Sequence, residues 1–159
     1  MRAAVFRCGA FAFDLSRPLV MGVLNVTPDS FSDGGRFTDQ EQALSHARRM
    51  RDDGADIVDI GGESSRPGAE PVADDIELAR VVPLVEALAA EGIPVGVDTR
   101  KPAVMRSAIA SGAAMINDIA ALREPGAIEA CGSATAGRAI GSMTVIRSSG
   151  RSTSSPSVP

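Results

Sequence analysis

The feature that most constrains the fold is a regular alternation of strand-like and helix-like segments. Four short apolar runs are rich in β-branched residues and carry Asn, Asp or Gly near their ends; they lie at 19–26, 56–61, 94–99 and 114–120. Such runs are typical of parallel strands that are covered on both faces. Helix-like segments lie between them at 38–54, 72–92 and 101–112. This alternation predicts an α/β fold of parallel βαβ units with right-handed crossovers.

The helix-like segments carry recognisable start and stop signals. Each ends at a glycine, and an acid follows that glycine five or six residues later, in the pairs Gly54 and Asp59, Gly92 and Asp98, and Gly112 and Asp118. Thr38 and Glu41 predict a capping box at the start of the first helix. Pro83 predicts a kink or a broken turn inside the second helix.

Polar residues mark the far end of every predicted strand. They are Asn25, Asp59, Asp98, Asn117 and Asp118. Because the carboxyl ends of parallel strands lie at the same edge of a sheet, we expect these side chains to converge there. The alternative for any one of them is that it caps the helix that follows.

Two loops at the same edge are unusually polar. The first is "NVTPDSFSDGG" at 25–35, and the second is "GGESSRPG" at 61–68. Arg66 beside Ser64 and Ser65 predicts binding of a phosphate, a carboxylate or a flat heteroaromatic ring. Neither loop has the glycine pattern of a phosphate-binding fingerprint. The alternative is that Pro, Gly, Asp and Ser simply form turns.

Composition limits the class of protein. The 159 residues are 44% apolar and 3% aromatic, which predicts one domain, or part of one, with an aliphatic core. All 20 acidic residues lie within 1–130, and this acidic balance argues against nucleic acid as a partner. No run approaches the ~18 apolar residues of a membrane span. Two cysteines without a metal pattern favour a reducing compartment, so we expect a cytoplasmic protein.

Four motifs resemble those of a known family. They are "MGVLNVTPDSFSDGG", "DIVDIGGESSRPGAEPV", "PVGVDTRKPAV" and "MINDIAALREPG". In this order and spacing they are similar to the first half of dihydropteroate synthase, over about residues 11–130. The resemblance implies a (β/α)8 barrel of the pterin-binding type, of which about the first four βα units are present. It also implies condensation of p-aminobenzoate with 6-hydroxymethyl-7,8-dihydropterin diphosphate, with release of diphosphate, in a homodimeric, Mg²⁺-assisted enzyme that sulfonamides inhibit.

The resemblance also implies roles for individual residues. Asp98 and Asn117 match the family's pterin-binding positions, and Asn25 matches the position associated with Mg²⁺ and diphosphate. The p-aminobenzoate loops correspond to Phe31, Ser65, Arg66 and Pro67, and catalytic roles fall on Asp33 and Arg66. Ser65 stands where the family commonly has Thr, so this chain lacks a methyl group at that position. Our hypothesis is that the loss of this methyl group alters sulfonamide affinity.

The last 29 residues depart from the family. Residues 131–159 contain 17 Gly, Ser, Thr or Pro residues, three Arg and no acid, a composition that does not support a packed half-barrel. We expect a frameshifted or prematurely ended reading of the gene, with a natural disordered tail as the alternative. On this expectation the chain alone binds pterin weakly or not at all, has no useful turnover and tends to self-associate.

Two other functions stay open from the sequence. One is another pterin-binding barrel, such as a folate-dependent methyltransferase domain, although the two loops argue against it. The other is a non-catalytic pterin-binding fragment.

Overall fold

A computed structural model of the protein describes residues 4–27, 35–64, 68 and 70–132, with side chains of 35–38 excepted. Strands and helices alternate along most of this part of the chain. The elements are β1 (Val5–Cys8), β2 (Phe11–Asp14), β3 (Met21–Asn25), α1 (Gly35–Asp52), β4 (Ile57–Gly61), α2 (Asp74–Ala90), β5 (Val95–Asp98), α3 (Pro102–Ala110), β6 (Met115–Asn117) and α4 (Ala127–Gly132). The four predicted strands and three predicted helices are therefore confirmed.

The parallel sheet has the order β3-β4-β5-β6, so each strand lies beside its neighbour in sequence. Its register places residues in rows across the sheet. One row joins Asn25, Gly61, Asp98 and Asn117. The row two residues earlier joins Val23, Asp59, Gly96 and Met115. Since alternate residues of a strand point to opposite faces, both rows lie on the same face of the sheet.

The other face of the sheet packs against the helices. Its buried strand residues are aliphatic: Leu24, Val58, Ile60, Val95, Val97 and Ile116. They form one core with buried helix residues that include Val81, Leu84, Leu88, Met105 and Ala108. This agrees with the predicted aliphatic core. Among the described helices, none has the length and apolar character needed to cross a membrane.

An antiparallel hairpin of β1 and β2 precedes the sheet and was not predicted. Its Cys8 is 1% exposed and lies in a small cluster with Ile57 and Met115, against which Phe6, Phe11 and Phe13 pack. Ile57 begins β4, so the hairpin covers the amino-terminal end of the face that carries the two rows. The missed signal was the two-residue Gly9-Ala10 loop between apolar runs, with Gly9 at a φ of 53°.

Asp56 anchors the amino-terminal end of β4. It accepts hydrogen bonds from both terminal nitrogens of Arg17, at 2.5 and 2.9 Å, and from the Val20 backbone N–H at 2.8 Å. These bonds, led by the one from Arg17, lower the pKa of Asp56 to about 2. Asp56 is therefore a structural acid at the end of the strand opposite to the polar row.

Two sequence expectations about element ends were wrong, and the turn at Pro83 is not broken. Helix α1 begins at Gly35, so Thr38 lies inside the helix and is not its N-cap. Helix α2 runs unbroken past Pro83, because Val81, Leu84 and Val85 beside it are fully buried and stabilise that turn by packing. Strand β6 ends at Asn117 and does not reach residue 120, because Asp118 begins a turn.

Gly112 and Gly92 provide a matched test of the helix-to-strand turns. Both have positive φ, at 107° and 73°, but a Cβ at Gly112 would lie 2.8 Å from Ala89 Cβ, whereas one at Gly92 meets nothing within 4 Å. We expect Gly92→Ala to lower the free energy of unfolding by about 1 kcal/mol through backbone strain alone. Gly112→Ala adds a steric clash and costs roughly 1–3 kcal/mol more. Urea denaturation measures both, and equal costs would contradict this account of the Gly112 contact.

Candidate functional site

The polar row at the carboxyl edge of the sheet brings three of the predicted site residues together. Asn25, Asp98 and Asn117 end β3, β5 and β6, and Gly61 of β4 lies between the first two. A Cβ on Gly61 would lie 3.2 Å from Asn25 Oδ1 and 3.8 Å from Asp98 Cβ. The two side chains therefore converge over a strand that has no side chain of its own at that point.

Asp59 lies beneath this row and is a functional candidate for which no individual role was predicted. It is 2% exposed, and its Oδ2 accepts a hydrogen bond of 2.9 Å from Asn117 Nδ2. Its Oδ1 is buried without a hydrogen-bond partner in the described residues. A Cβ on Gly96 would lie 2.5 Å from that oxygen, so the glycine makes room for the carboxylate. The sequence pattern that could have indicated this role is an Asp inside one strand together with a Gly at the matching position of the next strand.

The pKa values of two carboxyl groups at the row are raised, those of Asp98 and Asp59. Burial, followed by repulsion from Asp59, Asp118, Glu77 and Glu63, raises the pKa of Asp98 to about 6. Burial also raises the pKa of Asp59, while the hydrogen bond from Asn117 works in the opposite direction. The edge thus has an acidic character that favours cationic or N–H-rich ligands.

Asp118 has a structural role instead of joining the row. Its two oxygens accept hydrogen bonds of 2.8 Å from the backbone N–H groups of Ala120 and Leu122. The turn it stabilises contains positive φ values at Ala121 and Leu122. The sequence left open a helix-capping role for any strand-end acid, but Asp118 instead stabilises a turn that lies before α4.

A second buried cluster, Lys101 with Glu63 and Glu77, was missed by the sequence. Lys101 Nζ lies 2.7 Å from Glu63 Oε2 and 2.7 Å from Glu77 Oε2, and it also donates to the Val72 carbonyl at 2.5 Å. Glu77 is 1% exposed. Burial works to lower the pKa of Lys101, but its bonds to Glu63 and Glu77 outweigh burial and raise that pKa. The residues of this cluster come from three separate segments, so no local sequence pattern indicates it.

This Lys101 cluster holds both ends of the second polar loop. Glu63 lies near the start of the loop and also accepts a hydrogen bond of 3.0 Å from the Val72 N–H, which follows the loop. Burial works to raise the pKa of Glu63, but the bonds from Lys101 and Val72 outweigh it and lower that pKa. On α2, Arg80 donates to the Gly62 carbonyl at 2.7 Å. The roots of the loop are therefore fixed against α2 and α3.

Several predicted site residues lie outside the described part of the chain. They are Phe31, Asp33, Ser65, Arg66 and Pro67. Their roles stay predictions.

Asn25 fits a Mg²⁺ ion that is shared with a phosphate ligand. Its Oδ1 faces the row and its side chain is exposed, which suits an oxygen ligand for a hard cation. Among the described residues, no group of three or more His, Cys, Asp or Glu residues is placed to hold a metal. Mg²⁺ often keeps several waters and takes its remaining ligands from phosphates, so a single protein oxygen is compatible with such a site.

Comparison with known proteins assigns the chain to a family. A sequence profile described as "Pterin binding enzyme" matches residues 21–152. The chain belongs to this family. It is 57% identical over 104 residues to the dihydropteroate synthase of Bacillus subtilis, and this match covers 65% of the chain and 36% of the Bacillus protein. The chain thus spans less than half the length of the curated dihydropteroate synthases it matches.

Solved structures of pterin-binding enzymes share the fold. Burkholderia cenocepacia dihydropteroate synthase complexed with 7,8-dihydropteroate is 54% identical with a TM-score of 0.71, covering 80% of this chain and 42% of that one. Xanthomonas albilineans dihydropteroate synthase with 4-aminobenzoic acid is 53% identical with a TM-score of 0.76, covering 81% and 48%. The predicted fold, about the first four βα units of a pterin-binding barrel, is confirmed. The predicted domain boundary at residue 130 stays a prediction.

Replacing Lys101 tests the buried cluster. Lys101→Met leaves Glu77 buried without its cation, and we expect a loss of about 3–5 kcal/mol in the free energy of unfolding. Arg48→Met is the control, because the Arg48–Glu91 pair is similarly short at 2.6 Å but has side chains 49% and 36% exposed. Its removal should cost less than about 1 kcal/mol. Urea denaturation compares the two, and similar losses would show that burial does not matter here.

The raised pKa of Asp98 predicts a pH-dependent stability. The folded chain binds the Asp98 proton more tightly than the unfolded chain, whose pKa lies near 3.8. The contribution of this group is therefore greatest below about pH 4 and declines as the pH rises through 6. Asp98→Asn should remove that decline and raise the free energy of unfolding at pH 7 by about 1–3 kcal/mol relative to pH 4. Urea denaturation between pH 4 and 8 measures this, and a pH-independent difference would contradict it.

Proposed function

We propose that this chain carries the pterin-recognising part of a dihydropteroate synthase. The reaction condenses p-aminobenzoate with 6-hydroxymethyl-7,8-dihydropterin diphosphate and releases diphosphate. The observation that carries the proposal is the row of Asn25, Asp98 and Asn117 above buried Asp59. It lies in a chain 54% identical to an enzyme whose structure was solved with 7,8-dihydropteroate.

Pterin recognition follows from the chemistry of the row. The edge of a pterin ring presents N–H donors beside ring-nitrogen acceptors. Asp98 supplies a carboxyl group that accepts when ionised and donates when protonated, and Asn117 supplies an amide oxygen that accepts, because its Nδ2 is bonded to Asp59. Both side chains are half-buried, so an unmatched ligand group there would cost about 1–3 kcal/mol. The row therefore favours a flat ring whose edge pairs with both residues.

The acidic surroundings suit the bond that breaks. Departure of diphosphate leaves positive charge on the pterin methylene carbon. p-Aminobenzoate then attacks that carbon through its amine nitrogen, which afterwards loses one proton to water. The buried carboxyl group of Asp59 and the half-buried one of Asp98 favour this positive charge, and we assign the same role to Asp33. The arylamine is already a free nucleophile, so the reaction needs no general base to activate it.

The two polar loops supply the rest of the proposed site. Phe31, Ser65, Arg66 and Pro67 form the p-aminobenzoate pocket in this proposal, and Arg66 also acts in catalysis. The described residues at the two ends of the second loop, Glu63 and Val72, are both held by Lys101, and this supports the assignment. Asn25 would hold Mg²⁺, which when bound neutralises charge on the leaving diphosphate. Homodimerisation and a cytoplasmic location stay predictions.

Binding of 6-hydroxymethylpterin to the 159-residue chain tests the proposal. We expect weak but saturable binding by NMR titration, with shifts at the row. Asn117→Ala should weaken it by at least roughly tenfold, because a recognised amide is lost. Ser111→Ala, at the opposite end of α3, is the control and should leave binding unchanged. A wild-type chain that binds no pterin, or binds it equally well without Asn117, would contradict the proposal.

p-Aminobenzoate separates a synthase from a folate-dependent methyltransferase domain. With pterin and diphosphate present, a synthase site should also bind p-aminobenzoate in competition with a sulfonamide. Binding of pterin alone would favour the methyltransferase or the non-catalytic alternative.

A further inference from the structure

We propose that Asp59 is a positioning residue that fixes the orientation of the Asn117 amide, so that the Asn117 carbonyl oxygen is presented to the ligand. The inference deepens the proposed function and rests on it for the identity of the ligand. Asp59 itself is 2% exposed and acts through Asn117 without touching the ligand.

The contact depends on the register of the sheet. Asp59 lies on β4 and Asn117 on β6, so β5 separates them. The residue of β5 in the same row as Asp59 is Gly96. Because Gly96 has no side chain, the Asp59 carboxylate extends over β5, and its Oδ2 comes within 2.9 Å of Asn117 Nδ2. Any larger residue at position 96 would occupy the place of Asp59 Oδ1.

A carboxylate selects one orientation of an amide. An ionised carboxylate only accepts hydrogen bonds, whereas the two ends of an amide differ, one donating and one accepting. Asp59 therefore binds the nitrogen end of Asn117, and the oxygen end is left for the ligand. The row then offers an acceptor at Asn117, which selects a ligand edge that has an N–H at that point.

The cost of burying Asp59 supports a functional role. Its Oδ1 has no hydrogen-bond partner among the described residues, and a buried carboxylate oxygen in that state is unfavourable. A Leu or Val at this position would avoid the cost, and the helix-facing residues of the same strand, Val58 and Ile60, are of that kind. Within the described part of the chain, the one partner of the carboxylate is the amide of Asn117.

NMR of the Asn117 side chain tests the positioning directly and without ligand. In the wild-type chain we expect the Nδ2 proton that is bonded to the buried carboxylate to be shifted downfield of an ordinary Asn side-chain amide and slow to exchange with solvent. Asp59→Asn should shift this signal and speed its exchange. The control is Asp56→Asn, which removes a buried carboxylate at the amino-terminal end of β4. It should leave the Asn117 signals unchanged. Asn117 signals that do not respond to Asp59→Asn overturn the inference.

Binding of 6-hydroxymethylpterin tests the consequence. We expect Asp59→Asn to weaken it roughly tenfold, because the amide of Asn117 is free to turn. The double variant Asp59→Asn with Asn117→Asp exchanges the two groups: the amide at 59 donates to the carboxylate at 117, which keeps an acceptor for the ligand. It should regain most of the affinity, whereas a purely structural role for Asp59 predicts no such rescue. Circular dichroism confirms that each variant is folded.

The two proposals fail in different ways. A wild-type chain that binds no pterin contradicts the proposed function, while the Asn117 signals still decide the role of Asp59. Pterin binding that survives Asp59→Asn and needs no rescue supports the proposed function and overturns the inference.

Discussion

The register of the parallel sheet is the constraint on which the site depends. Backbone hydrogen bonds between β3, β4, β5 and β6 place Asn25, Gly61, Asp98 and Asn117 in one row at the carboxyl edge. A shift of one residue in any strand would turn its polar group to the helix-covered face. The aliphatic core behind the sheet resists such a shift, because it would expose the apolar side chains that the helices bury. Packing of the apolar face against the helices thus fixes the positions of the polar residues on the opposite face of the sheet.

Glycine and side chain alternate across the functional face. Gly61 separates Asn25 from Asp98 in the upper row, and Gly96 separates Asp59 from Met115 in the row beneath. A polar side chain from the neighbouring strand extends into the space that each glycine leaves. The result is a pair of layers in which a buried carboxylate supports an amide at the surface, at the cost of raised pKa values for the acids. Perturbed pKa values of this kind are typical of functional sites, where residues serve binding at some cost in stability.

The sequence predicted the parts of the fold that depend on local pattern. The periodicity of apolar residues and the glycines at helix ends predicted which segments form strands and which form helices. The parallel topology then predicted that the polar strand ends lie at one edge of the sheet. Contacts between distant segments could not be predicted in that way. Lys101 reads as an ordinary residue before Pro102, and Glu77 reads as a helix-start acid, yet the two meet as a buried pair 2.7 Å apart. The reach of Asp59 to Asn117 across β5 is likewise a property of the register and not of either segment.

The central claim is that the polar row above Asp59 binds a pterin ring. A crystal structure of the 159-residue chain with 6-hydroxymethylpterin tests it most directly. The account predicts a ring whose edge lies within hydrogen-bond distance of Asp98 and of the Asn117 oxygen, with Asn117 Nδ2 still bonded to Asp59. A ring bound away from the row, or an Asn117 amide turned with its nitrogen toward the ligand, would contradict it.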